Sequence, residues 1–552
     1  MHSFLNDWGL ALMTFIPLAG ALVMMALPKE QEGLLKQVAI LTSLAAAVFG
    51  VLIALDFDYD RAGELQYLVD KPWIDVINSR YITAIDGMSL PLILLTLLVV
   101  PLSLIYTFGH FPEPHNPKAF LTLILILETG MLGTFIAQDL ILFFVFFEVV
   151  LLPMFFMIGV WGGEDRRYAS LKFFLYTLFG SALMLVAFLA MFFLADGTVA
   201  EVAAETVRTF DMRALSTGAT SIISRSAQLW IFAGMFIGFG VKVPMFPFHT
   251  WLPDAHTQAP TVGSVILAAV LLKLGTYGFV RIAVPMLPEA AAAWAPIIGL
   301  LAVIGIIYGA LGCLAQSDMK RLIAFSSVAH MGFVMLGIAT LTDFGINAAV
   351  FGMVAHGLIT GMLFFIAGSV KDRFHTLDMN RLGGLLLQAP KMGWILGFCV
   401  MASLGLPGLA GFWGEFPAIL AAYNPAGMLN ENIFRAYMIV AALGTVLAAG
   451  YLLWMLQKAA FGTPKDEFVN DPHIHDASPY EWFAWVPLLV LIVVLGIYPN
   501  LIFEVTDPAV VQSLQVEGLG GSAGNCLEEA TGSAGRACFA ELRGDALALA
   551  GG

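Results

Sequence analysis

The chain has 552 residues, of which 59% are hydrophobic and only 12% charged. A soluble domain carries about 25% charged residues, so this composition excludes a soluble globular protein and describes an integral membrane protein with many spans. The formal net charge of −14 argues against nucleic acid as a partner.

The N-terminus, MHSFLNDWGLALMTF, has no basic leader and reads as a first span rather than a cleaved signal. Hydropathy predicts an all-α polytopic protein of about 14 transmembrane helices, at residues 8–27, 35–55, 86–108, 118–137, 139–160, 170–194, 228–248, 257–284, 294–315, 321–341, 345–369, 392–420, 433–460 and 482–504. Three segments are expected outside the bilayer. Residues 56–85 and 195–227 read as mixed polar loops. The tail, 505–552, is rich in Gly, Ala, Ser and Glu and reads as weakly ordered. Lys and Arg favour the loops after odd-numbered spans, among them Lys118, Arg166, Arg167, Lys320, Arg321, Lys371 and Arg373, which should face the cytoplasm or a matrix. Both termini are then expected on the outer side, in a bacterial plasma membrane rather than a mitochondrial inner membrane.

Of the cysteines, Cys313 and Cys399 fall in apolar runs as small core residues. Cys526 and Cys538 lie in the tail; outside the cell they could pair, and otherwise they are two free thiols. No CxxC, metal-spaced Cys/His cluster, GxGxxG before a helix or P-loop occurs. Redox chemistry, if the chain serves any, is expected elsewhere.

Titratable residues inside the predicted spans are the informative feature. An isolated charge at the bilayer centre costs at least about 2.5–3.5 kcal/mol, so such residues mark ion or proton pathways by default. Glu148 sits in DLILFFVFFEVVLLPMFF, Lys242 in GFGVKVPMFP and Lys273 in SVILAAVLLK. His330 sits in SSVAHMGF, Glu415 in GLPGLAGFWGEFP, and His356, a weaker candidate, in FGMVAHGLITG. Lys242 is the natural ion-pair partner for Glu148, and a lysine held between burial and a carboxylate can take or give a proton near neutral pH. The competing reading is a static buried pair that fixes helix register. For His330 and His356 it is a hydrogen-bonded core histidine. Gly and Pro interrupt the runs around both Lys242 and Glu415, and broken spans at corresponding places suggest an inverted repeat. The expected organisation is N-terminal helices (1–110), a first five-helix unit (111–290), a second (291–462), a last span (463–504) and the tail (505–552). In that register Glu415 corresponds to Lys242, and His330 lies in the span corresponding to that of Glu148.

The segment GVKVPMFPFHTWLPDAHTQAPT, then SDMKRLIAFSSVAHMG and GLPGLAGFWGEF, resembles the antiporter-like subunits of respiratory complex I, over about residues 80–500. Glu415, where sister subunits carry lysine, points within that family to the M type, called subunit 4 in mitochondria. The resemblance implies a proton-translocating subunit of NADH–quinone oxidoreductase. Glu148 and Lys242 would be the coupling pair, Lys273 the central relay lysine, His330 a bridging histidine and Glu415 the terminal donor or acceptor. It implies no cofactor in this chain, with NADH, FMN, iron–sulfur clusters and quinone in partner subunits, and L- and N-type paralogues as neighbours. Two other classes stay open: a subunit of a cation/proton antiporter or membrane-bound hydrogenase, and a structural membrane scaffold.

Overall fold

A computed structural model describes residues 2–195, 208–469 and 471–515. Helices dominate. In chain order they are α1 (His2–Ala26), α2 (Glu32–Asp56), α3 (Leu90–Tyr106), α4 (Pro117–Ile136), α5 (Leu140–Trp161), α6 (Arg166–Leu194), α7 (Met212–Ile222), α8 (Arg225–Lys242) and α9 (Trp251–Gln258). There follow α10 (Thr261–Met286), α11 (Pro288–Leu314), α12 (Met319–Ala339), α13 (Asp343–Phe374), α14 (Pro390–Ser403), α15 (Ala410–Ala421), α16 (Glu431–Ala460), α17 (Pro479–Ile497) and α18 (Asn500–Gln515). Among the described residues 11 helices are long and apolar enough to cross a membrane, and α3 is a shorter apolar one. The expected crossings are completed only if α3 and two interrupted pairs, α8/α9 and α14/α15, also cross.

Helices α10, α12 and α13 form the centre and are almost wholly buried. Leu41, Leu55, Phe179, Val186, Phe193, Val446 and Phe483, on α2, α6, α16 and α17, are exposed. Large apolar side chains in that number need a lipid or protein neighbour.

Two expectations are corrected. Residues 56–85 are not simply a loop: Gln66–Ile74 (β1) and Ser79–Ile85 (β2) pair antiparallel, turning at Asn78 in the left-handed conformation. The hairpin is fixed to the helices by polar contacts. Asp139 accepts from Ser79 Oγ at 2.9 Å and from the Arg80 amide at 3.0 Å, while capping α5 through the amides of Ile141 and Leu142. Such a cap satisfies amides that have no partner within the helix. The hairpin therefore anchors the start of the helix that carries Glu148. The second correction concerns the tail, where α18 continues to Gln515 and packs on α13. Thr506 donates to Asn347 at 2.7 Å, Asn347 donates to Asp507 at 2.7 Å, and Phe503 stacks on Phe351. Cys526 and Cys538 lie outside the described residues. So does most of the stretch before α7 in the other predicted loop.

The proton-bearing core

The first half of the candidate site is built around two helix interruptions. Pro153 has no amide to give to the Val149 carbonyl, and α5 is discontinuous at Val150, one turn before it and beside Glu148. Helix α8 ends on Lys242, ahead of Pro244 and Pro247. The Val241 carbonyl left free by that ending accepts from the Trp251 indole at 2.9 Å. A lysine at a helix C-terminus also meets the negative end of the helix dipole.

The expected direct contact between Glu148 and Lys242 is not formed. Lys242 is buried, and its Nζ lies 4.7 Å from the centre of the Phe147 ring. No ion pair or hydrogen bond within reach joins it to Glu148. The reason is helical register: one residue rotates a side chain by about 100° around the helix. Phe147 therefore faces α8, where it packs on Phe239, while Glu148 is half-buried near Ser181 of α6. Lys242 thus stands over the Phe147 ring rather than against the Glu148 carboxylate.

Lys242 approaches α10 at Gly275. A Cβ added there would meet the Phe239 carbonyl at 2.7 Å and Lys242 Cβ at 3.0 Å. Glycine is what permits this close crossing, two residues from Lys273.

The second half holds two hydrogen-bonded pairs on either side of a small cavity. Lys273 is fully buried and follows a π-helical turn, Leu267–Leu271. Its Nζ donates to the Ala268 carbonyl at 2.5 Å and lies 2.7 Å from His356 Nδ1 on α13. A charged lysine only donates, so His356 Nδ1 then accepts and the ring proton sits on Nε2. A neutral Lys273 can instead accept from Nδ1–H. The pair can thus hold one proton in two places. His356 Nε2 has no partner among the described residues.

The His330 and His356 rings are 5.9 Å apart, centre to centre. His330 Nδ1 lies 2.5 Å from Glu415 Oε1, and its Nε2 is 3.1 Å from Ser403 Oγ and 3.4 Å from the Tyr451 hydroxyl. His356, His330, Ser403 and Glu415 line a cavity of about 20 Å³. That space is enough for one water, which needs roughly 10–15 Å³ and two or more polar partners. Gly405 and Gly408, at φ +71° and +93°, make the break between α14 and α15 that sets Glu415 against this cavity. Gly414 meets Gly352 so closely that an added Cβ would lie 2.5 Å from the Gly352 Cα.

Of the sequence candidates, Lys273, His330, His356 and Glu415 come together, and Glu148 and Lys242 form a separate pair of unbonded charges. His356 was the weakest of the candidates and is the direct partner of Lys273. Buried titratable residues outside that selection include Asp86, Glu128, Asp139, His249, His256, Lys320, Arg373 and Glu481. His256 stacks on Phe364 at 4.5 Å, and neither of its ring nitrogens has a partner among the described residues. Lys320 donates to the Ala259 carbonyl at 2.5 Å. The available signal was the polar patch HTWLPDAHTQ for the histidines. Lys320 reads in sequence as an ordinary loop base.

The chain has relatives among known proteins. A model of the NADH:quinone oxidoreductase/Mrp antiporter transmembrane family matches residues 137–443, and one of the NADH-ubiquinone oxidoreductase chain 4 amino terminus matches residues 65–134. NADH-quinone oxidoreductase subunit M of Rhodobacter capsulatus is 39% identical over 512 residues, covering 92% of this chain and 96% of the relative. A NAD(P)H-quinone oxidoreductase chain 4 of a Nostoc species is 38% identical, over 90% of this chain and 89% of its own length. Among solved structures, a chain of respiratory complex I from Thermus thermophilus superposes with a TM-score of 0.79 at 28% identity, covering 93% of this chain and 100% of that one. A chain of the Mrp complex from a Dietzia species shares the fold, with a TM-score of 0.76 at 18% identity over 93% of this chain and 99% of its own.

Proposed function

The chain belongs to the NADH:quinone oxidoreductase/Mrp antiporter family, and from that premise we propose how it works as a proton-translocating membrane-arm subunit of NADH:quinone oxidoreductase. Protons move along the file Lys273–His356–His330–Glu415, and the Glu148–Lys242 pair controls its loading. NADH oxidation and quinone reduction take place in partner subunits that hold the flavin, the iron–sulfur clusters and the quinone. This chain contributes proton transfer. Antiporter-like paralogues of the L and N types are the expected neighbours.

The observation that carries the reading is the contact series inside the apolar core: 2.7 Å from Lys273 to His356, one water's space in a cavity that both histidines line, and 2.5 Å from His330 to Glu415. Proton transfer needs donor and acceptor within hydrogen-bond reach, directly or through one water. A charge change at Glu148 alters the field at Lys242, and Lys242 in turn acts on Lys273 across the Gly275 crossing. Two ammonium groups close together in a low-dielectric interior repel each other, so loading one lysine drives the proton off the other. From Lys273 the proton passes to His356 Nδ1. The Nε2 proton leaves through the cavity water to His330, and Glu415 accepts it. His256 and Lys320, buried on the side of the basic loops, suit a path of entry to Lys273.

In the same reading the helices α4, α5, α6, α8/α9, α10 and α11, α12, α13, α14/α15, α16 are inverted repeats, each broken at its fourth member. The basic loops face the cytoplasm of a bacterial cell, and both termini face out. Labelling of a cysteine introduced at Ser3 by an impermeant reagent tests that orientation; labelling only from the inside reverses it.

The central test is Glu415→Gln in the assembled complex, reconstituted in vesicles. Proton uptake per NADH oxidised should fall sharply, with Glu415→Lys restoring part of it. Unchanged pumping in Glu415→Gln, with assembly intact, removes Glu415 from the file.

A further inference from the structure

One buried acid takes no part in the file described above. Glu128 lies in the middle of α4 and has no solvent exposure. Its Oε1 accepts from Ser43 Oγ of α2 at 2.8 Å, and its Oε2 has no partner among the described residues. Helices α1, α2, α3, α5 and α10 surround α4. Among the described residues no ion pair reaches Glu128, and the Ser43 hydroxyl is its one hydrogen-bond partner.

Its position follows from neighbouring contacts. Phe135, two helical turns further along α4 and on the same face, accepts at its carbonyl from the Tyr277 hydroxyl of α10 at 3.0 Å. Both helices run from the side of the basic loops toward the hairpin side. Glu128 therefore lies within about two turns of the depth of Lys273, at 1.5 Å of rise per residue. Unlike Lys273 it turns toward the N-terminal helices. Ser103 of α3, also buried, has no partner for its hydroxyl among the described residues.

A lone carboxylate with one hydroxyl donor cannot stay ionised there, because its desolvation is not repaid. The carboxyl therefore rests protonated, with a second oxygen unbonded and free to give up the proton when an acceptor or a water reaches it. A carboxyl kept only to tie α4 to α2 gains nothing from an ionisable group. Asparagine or glutamine would make the same bond to Ser43 without the cost of a buried acid.

We propose that Glu128 is a second proton-binding site of this chain, set at the seam between the N-terminal helices and the first five-helix unit. Its carboxyl O–H bond breaks to a water or hydroxyl acceptor during turnover, and the carboxylate later regains a proton. The site holds a proton beside the file rather than in line with it.

The test is infrared difference spectroscopy of the assembled complex, resting against turning over with NADH and quinone, comparing the wild type with Glu128→Gln. The glutamine keeps an acceptor for Ser43 and cannot titrate. The expected result is a protonated-carboxyl band that is lost on turnover in the wild type, shifts in deuterated water and is missing from the variant. Superimposable wild-type and variant difference spectra overturn the proposal. Ser43→Ala serves where Glu128→Gln fails to assemble: it must shift the same band without removing it, and no shift counts against the site. Because neither variant touches Lys273 or Glu415, a lost band here and a failed relay there are separate results.

Discussion

The two broken-helix regions carry the same kinds of residue and arrange them differently. Around Lys242 the charges are close but unbonded, separated by Phe147 and walled by Phe143 and Phe239. Around Glu415 every titratable group touches another or a shared cavity. Hydrogen-bonded pairs that meet at a cavity with space for one water can pass protons. A pair of charges beside aromatic rings responds instead to small changes in separation, because in a low dielectric the interaction changes steeply with distance. On the proposed function, the first region switches and the second conducts.

The sharpest way to break that assignment is at the junction. Lys273→Ala removes the first member of the conducting series, two residues from the Gly275 crossing, and proton uptake per NADH should fall by at least about tenfold, as loss of a positioned proton carrier does elsewhere. Retention of near-normal pumping in an assembled complex would sink the division into switch and conductor. The next largest effect belongs to the switch. Lys242→Ala and Glu148→Gln should each lower coupled proton uptake about fivefold, equivalent to roughly 1 kcal/mol of barrier. Their double variant should be little worse than either alone, because the two act on the same event. Full additivity in this cycle would mean that the two residues work separately, as the absence of direct contact would then have to be read.

A smaller loss is expected at His356. Replacing it with alanine opens space next to Lys273 that a second water can fill, so the proton still crosses, more slowly. Uptake should fall about threefold, and His356→Gln should behave similarly, since glutamine keeps a polar group but cannot carry a proton as imidazole does. If His330→Ala is severe while His356→Ala is silent, Lys273 reaches the cavity water without its neighbour.

Much of this was readable from the chain alone because charge in an apolar run is conspicuous. Lys242, Lys273, His330 and Glu415 stand out in that way, and Gly405, Pro407 and Gly408 announce the second break. What stayed hidden depends on rotation and on contacts between distant segments. Sequence cannot tell whether Phe147 or Glu148 faces α8, since both positions suit a buried helix. His356 gains its importance only when α13 crosses α10, 83 residues away in the chain. Glu128 is diluted by its setting, LILETGMLGTF, where two threonines and two glycines blur the apolar run. The hairpin at 66–85 is short and its faces are mixed, so no clean alternation marks it. Helix α18 contains Asp507 and Pro508, which lower helical expectation, and it forms because Asn347 and Phe351 receive it.

The smallest expected effect sharpens the comparison from outside the membrane core. His110 lies in the loop between α3 and α4, 2.7 Å from Asp372 and 3.3 Å from Glu481, and Glu481 also pairs with the buried Arg373 at 2.7 Å. Burial works against a charge on His110, but the two carboxylates overcome it and raise the imidazole to about 9 from its usual 6.5. A raised histidine stabilises the folded state fully below pH 6.5, and that contribution is lost as pH rises through about 9. The upper bound on the contribution is ~3 kcal/mol. It acts on the joint between the start of α17 and the end of α13, the helix that carries His356 at its middle. Amide exchange at residues 107–112 and 479–483 should therefore quicken between pH 6.5 and 9, beyond the intrinsic rise, and His110→Gln should abolish the excess. Pumping should change less than twofold in that variant, because the network steadies the end of α13 without touching the protons that pass His356. A variant that lost pumping as completely as Lys273→Ala would place part of the switch on this side of the molecule, and the contrast between the two broken regions would have to be redrawn.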